Sequence, residues 1–199
     1  MSGKCVCLRC AVVLLAAVGV AYGFSGCGGD SGTSTTMGVR AEYTADWSTV
    51  QDPDGAFVAN LASEGMSEGE YKDNCSHVSH KDFDYDTEAH KGEDVYFTGP
   101  VTVVTKAVDD DVLAPAFGGA LEGLTALSLG MGPRGDGGIG EYDNAVTVLW
   151  PGPLPEIPQG SIVAVWGESQ GAYGYGPESF PKFAVVRGRY LTWYLPQTG

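Results

Sequence analysis

Hydrophobic and polar positions follow three different patterns along the 199 residues. Residues 11–22 form an apolar run of 12, preceded by Lys4 and Arg9. A membrane-spanning helix takes about 20 such residues, so this run has the length of a signal-peptide core. From 37 to 74 polar and acidic residues dominate. There Phe57, Val58 and Leu61 give one short apolar stripe that predicts a helix over 56–63. Ser67 followed by Glu70 is a capping-box pattern and predicts a second helix over 67–73.

Beyond Gly92 the pattern changes to strands, dense in β-branched and aromatic residues, over 95–105, 124–131, 145–150, 161–167 and 183–195. Pro100 lies inside the first block and has no N–H to give a ladder, so the strand has to bend, bulge or run along an edge there. Ile162-Val163-Ala164-Val165-Trp166 is apolar throughout, which predicts burial on both faces. Turns separate the blocks, with six Gly over 130–140 and four Pro over 151–160. Five strand blocks without a long helix among them predict a mainly β fold, a small closed or partly open barrel.

A formal charge of -14 repels polyanions and disfavours nucleic acid as a partner. Phe24-Ser25-Gly26-Cys27 resembles the bacterial lipobox, which implies acylation of Cys27 and a membrane partner reached through that lipid anchor on the extracytoplasmic side. The segment 28–36, rich in Gly, Ser and Thr, has the composition of a flexible tether. The expected organisation is therefore a signal peptide over 1–26, a lipid-anchored tether over 27–45, an acidic helical lead-in over 46–91 and a barrel over 92–196. Cleavage before Cys27 removes Lys4 and Arg9 but no acid, which takes the formal charge from -14 to -16. It also removes Cys5, Cys7 and Cys10. With Cys27 thioether-linked, Cys75 is left alone and no intrachain disulfide forms. Cys5-x-Cys7-x-x-Cys10 as a metal site lacks a nearby fourth ligand and runs straight into the apolar core of the signal.

Four ordered blocks carry a resemblance over about 66–195. The first is Ser67 with Tyr71-Lys72 and Cys75, and the second is Lys91-Gly92 with Val95, Phe97 and Gly99. Tyr142-Asp143-Asn144 with Val146 and Val148 is the third, and Gly160-Ser161 running to Trp166-Gly167, Tyr173 and Tyr175 is the fourth. In their order and glycine positions these blocks resemble a family of bacterial lipoproteins with an OB-fold domain. The resemblance implies an OB-like five-stranded barrel with a short helical N-terminal lead-in, serving binding rather than a reaction. The stretch 107–123 between the first two strands is longer than in that family.

Several constellations suggest chemistry. Gly167-Glu168-Ser169-Gln170-Gly171 fits the G-x-S-x-G of a nucleophile elbow, but no helix can start in the Gly- and Tyr-rich segment after it and all three His lie upstream. A bulge and turn leaving the fourth strand is the expected use of these glycines. Asp82-x-Asp84-x-Asp86 with Glu88 and Glu93 imitates a calcium loop, with Thr87 where such a loop needs Gly. Cys75, His77 and His80, with His90, offer zinc or copper ligands at no recognised spacing, and Arg134-Gly135-Asp136 reads as a hairpin tip. Aromatics are the stronger lead, because OB barrels stack rings on sugars and bases. The candidate ligand-binding residues are Tyr173 and Tyr175, as an exposed two-ring platform, with Trp166 and with Arg187 and Arg189, which alternate on the last strand toward an anion. The expectation is a non-catalytic envelope binding module with a protein or saccharide ligand, no metal and no cofactor. The alternative is a metal-dependent or serine hydrolase, which requires lead-in histidines and acids to meet the barrel.

Overall fold

The computed structural model describes residues 38–52, 55–78, 89–130, 145–173 and 183–195. Five strands make the barrel: β3 (Asp94–Lys106), β4 (Leu124–Gly130), β5 (Ala145–Pro151), β6 (Ile162–Tyr173) and β7 (Phe183–Tyr194). They pair in the closed ring β3-β4-β5-β7-β6-β3, antiparallel except for β5 and β7, which run parallel. This is an OB-like barrel, as the sequence led us to expect. Two further strands flank it: β1 (Val39–Thr44) pairs with β7, and β2 (Ser76–His77) runs parallel to β3.

The long β3 serves both sides of the ring. Its first half pairs with β6 as far as Pro100, and its second half pairs with β4 from Val101 onward, with a register shift between Val101 and Val103. Pro100, lacking an N–H, thus stands where one ladder ends and the other begins. Gly99 beside it permits the close crossing, because a Cβ there would run into the carbonyl oxygen of Gly130.

Alternation places Val95, Phe97, Leu127, Val148, Val165 and Leu191 inside the barrel. Each such side chain removed from water contributes about 1.5–3 kcal/mol. A second apolar cluster lies outside the ring. There the long 107–123 stretch folds as a 3-10 turn (Ala107–Asp109), the short helix α2 (Ala114–Phe117) and another 3-10 turn (Gly118–Leu121). Leu113, Phe117 and Leu121 from it cover Leu149 and Val185 of the barrel. Burial on both faces, expected for 162–166, holds for Val163 to Val165 and is more complete in β5, whose outer face this layer covers.

The lead-in corrects two expectations. The tether does not extend to residue 45, because β1 is already in the sheet from Val39. The pairing of β5 occupies only the Ala184 to Arg187 stretch of β7, and β1 takes the edge of β7 left open from Tyr190 to Tyr194, with Tyr43 packing on the barrel core. The helix expected over 56–63 is replaced by extended chain and one 3-10 turn (Leu61–Ser63), and Leu61 is 73% exposed. The cause is competition for the backbone. Asp52 accepts from the N–H of Ala56 and of Phe57, while the Gln170 amide takes both the N–H and the C=O of Val58, so no helical turn closes there. The second expected helix is present as α1 (Glu68–Asn74), with the capping box of Ser67 and Glu70 complete.

Candidate binding cleft

The site begins with irregularities in β6 and β7. Their ladder shifts register between Trp166 and Gly167 and again between Ser169 and Gly171. The strand does not turn away at the glycines, as expected, but continues bulged to Tyr173. Gly188 lies opposite Gly167 in register, and a Cβ on Gly188 would come within 2.8 Å of Val148 Cγ1. The bulges gather polar side chains beneath the lead-in: Glu168 opposite Arg187 in one direction and opposite Asp94 in the other.

The lead-in is fastened over this patch by side chains. Asp94, 8% exposed, accepts from Asn60 Nδ2 at 2.9 Å, from the Tyr71 hydroxyl at 3.0 Å and from the Ser63 hydroxyl. Trp47 Nε1 donates to the Gly188 carbonyl at 2.6 Å. Gln170 holds Val58 through two bonds of 2.8 Å. The Asp94 carboxylate, the Trp47 indole N–H and the Gln170 amide thereby each have partners across the seam, as a low-dielectric environment demands.

Burial pushes several groups away from their ordinary titration ranges. The Glu168 carboxyl is raised, chiefly by loss of solvent, against the opposing pull of Arg187, whose Nη1 donates to it at 3.0 Å. Desolvation likewise raises the Tyr71 phenol and pushes the Cys75 thiol up to about 12, the neighbouring Asp94 charge adding to both.

Between the two layers lies a cleft of about 250 Å³, lined by Trp47, Asn60 and Glu64 from the lead-in and by Glu168, Arg187 and Arg189 from the barrel. The guanidinium groups are seated on rings, Arg187 over Trp47 at 4.5 Å and Arg189 over Tyr71 at 4.2 Å. Arg187 Nε is buried with no partner, and Arg189 Nη1 donates to the Ser63 carbonyl at 3.3 Å. Stacked, directional donors of this kind recognise carboxylate or phosphate oxygens.

Of the residues singled out from sequence, Arg187 and Arg189 are brought together here. Trp166 is elsewhere, on the outer face of β6, between Tyr96 at 4.9 Å and the Lys72 ammonium at 4.5 Å. Tyr173 is no exposed platform: its ring lies 4.9 Å from Phe117 in the outer cluster and its hydroxyl donates to the Gln170 carbonyl. Tyr175 and Cys27 fall outside the described residues, as do His80, the 82–88 acidic segment and Arg134-Gly135-Asp136. Ser169 is 0% exposed; its backbone N–H donates to the Glu93 carbonyl and its carbonyl accepts from the N–H of Gly92. Among the described residues no group of three or more His, Cys, Asp or Glu is placed to hold a metal ion.

Sequence reasoning missed Trp47, Asn60, Glu64 and Asp94 as parts of one site. A weak signal was present in Asp94 and Glu168, acids directly abutting the strand blocks 95–105 and 161–167, which the structure places inside β3 and β6. The chain matches no protein-family model, no curated protein and no solved structure in comparisons with each.

Proposed function

We propose that this chain is a lipid-anchored envelope protein of the OB-fold lipoprotein kind, held outside the cytoplasm through Cys27, and that its barrel is a non-catalytic binding module. The observation that carries the binding role is the cleft. Two half-buried guanidinium groups in a strongly acidic chain are fixed on aromatic rings before any ligand arrives, so little ordering remains to be done on binding. Charge of this sign is scarce in the chain, and two of its arginines converge in the cleft, where Arg187 is paired with Glu168.

The binding role is tested by a ligand-observed NMR screen of small carboxylates, phosphates, amines and sugars against the parent chain and Arg189→Ala. Binders that disappear in the variant support the cleft as the site. A screen with no binder sensitive to Arg189 overturns it. The anchor is tested by intact mass and detergent partitioning of the membrane-associated protein, parent against Cys27→Ala. A diacylglycerol-sized increment on a chain beginning at Cys27, lost in the variant, is the expected result; an unmodified full-length mass in both sinks the lipoprotein reading.

A further inference from the structure

The cleft carries both signs of charge within a small volume. Arg187 and Arg189 stand on the barrel side, and Glu64 stands on the lead-in side. Glu168 is already engaged by Arg187, whereas Glu64 is exposed on the 3-10 turn's C-cap. A cleft of about 250 Å³ is also below the range of ~300–1,000 Å³ found for drug-sized ligands, which suits a ligand of few atoms.

Resting on the binding role proposed above, we infer that the cleft takes a small zwitterion, an α-amino acid or a dipeptide, with its carboxylate on Arg187 and Arg189 and its ammonium group toward Glu64. The guanidinium fork matches the two oxygens of a carboxylate, and Arg189, half-buried in the cleft wall, spends one N–H on the Ser63 carbonyl at 3.3 Å and has further donors to give. Net charge selects among carboxylates. A plain anion approaches a chain of charge -14 against its field, whereas a zwitterion carries no net charge and meets no such barrier. The Glu64 carboxylate then rewards the ammonium end and leaves an N-blocked analogue without a counter-charge.

The test is calorimetric titration of the full chain with L-alanyl-L-alanine, its N-acetyl form and its C-terminal amide. The free dipeptide is expected to bind, and each blocked form to bind at least about tenfold more weakly, a difference of about 1.4 kcal/mol. Glu64→Gln, an exposed substitution that leaves the fold intact, is expected to weaken the free dipeptide to the level of the N-acetyl form and to leave the N-acetyl form unchanged. Arg189→Gln is expected to weaken both. Equal binding of the free and N-acetyl forms makes the site a simple anion site and overturns the zwitterion; equal binding of the amide removes the arginines from carboxylate recognition and overturns it too. If none of the three binds while other members of the NMR screen still bind in an Arg189-dependent way, the ligand class is wrong and the binding role stands. If nothing binds in that way, both fall.

Discussion

The inside of the barrel and the seam beneath the lead-in are both buried, but they are built from opposite materials. Inside, Val95, Phe97, Leu127 and Val165 meet through dispersion and loss of water, and an apolar side chain of similar volume is tolerated at little cost. At the seam, Asp94, Glu168, Gln170 and Arg187 meet their partners through directional bonds, and each lost partner strands another buried group. The interior therefore determines whether the barrel exists, and the seam determines where the lead-in lies and hence whether there is a cleft.

The largest expected effect separates the two materials. Leu127→Ala, at a fully buried interior position, should cost about 2–5 kcal/mol of global stability in urea unfolding. Asp94→Ala leaves the Asn60 amide and the Ser63 and Tyr71 hydroxyls without their acceptor and should cost about 3–5 kcal/mol. Hydrogen exchange distinguishes the variants: the first lowers protection throughout the barrel, the second mainly over 58–74. Uniform loss of protection in Asp94→Ala would remove the distinction between interior and seam.

Gln170→Ala, with both Val58 bonds gone, should cost about 1–3 kcal/mol and expose the backbone near residue 58 to limited proteolysis. Retained resistance to protease would show that Asp94 and Trp47 suffice to hold the segment.

Smaller still is a pH effect at Glu168. Its carboxyl is raised in the folded chain by burial, so the fold favours the protonated form. The associated stability is fully present below the unfolded value of about 4.3 and is lost as pH rises through the folded value. Glu168→Gln lacks this titration, so its stability relative to the parent should rise from pH 4 toward neutrality; a constant difference between the two urea midpoints would contradict the shift. The least disruptive probe leaves the fold untouched. With its thiol pushed up to about 12, Cys75 should react with iodoacetamide at pH 8 on the order of a thousandfold more slowly than an ordinary cysteine, and urea should restore the rate, as followed by peptide mass mapping.

This contrast also explains what could be read from the sequence. Period-two alternation and β-branched density locate the five barrel strands because those signals are local and the interior is apolar. The capping box at Ser67 and Glu70 is equally local, and α1 forms where it predicts. The extended chain near Val58 is different. Its apolar spacing is helical, but its conformation is settled by Gln170, 112 residues away, and nothing near Val58 announces that partner. The arginines of the cleft were legible as an alternating pair on the last strand. Their neighbours were not, since Trp47, Asn60 and Glu64 come from a segment without strand or helix periodicity. Trp166 and Tyr173 show the reverse error: aromatic character was visible, while the packing that occupies their rings depended on α1 and on the 107–123 layer.

The span of the seam's bonds gives the protein a timetable. Trp47 bonds to Gly188 across 141 residues, and Ser63 to Arg189 across 126. At a synthesis rate of about 5–20 residues per second, the lead-in is complete on the order of ten seconds before the strand that receives it has been made. The first part of the domain to emerge is thus the last to be fastened, and the Trp47 indole and the Tyr71 ring wait for Gly188 and Tyr190 of β7.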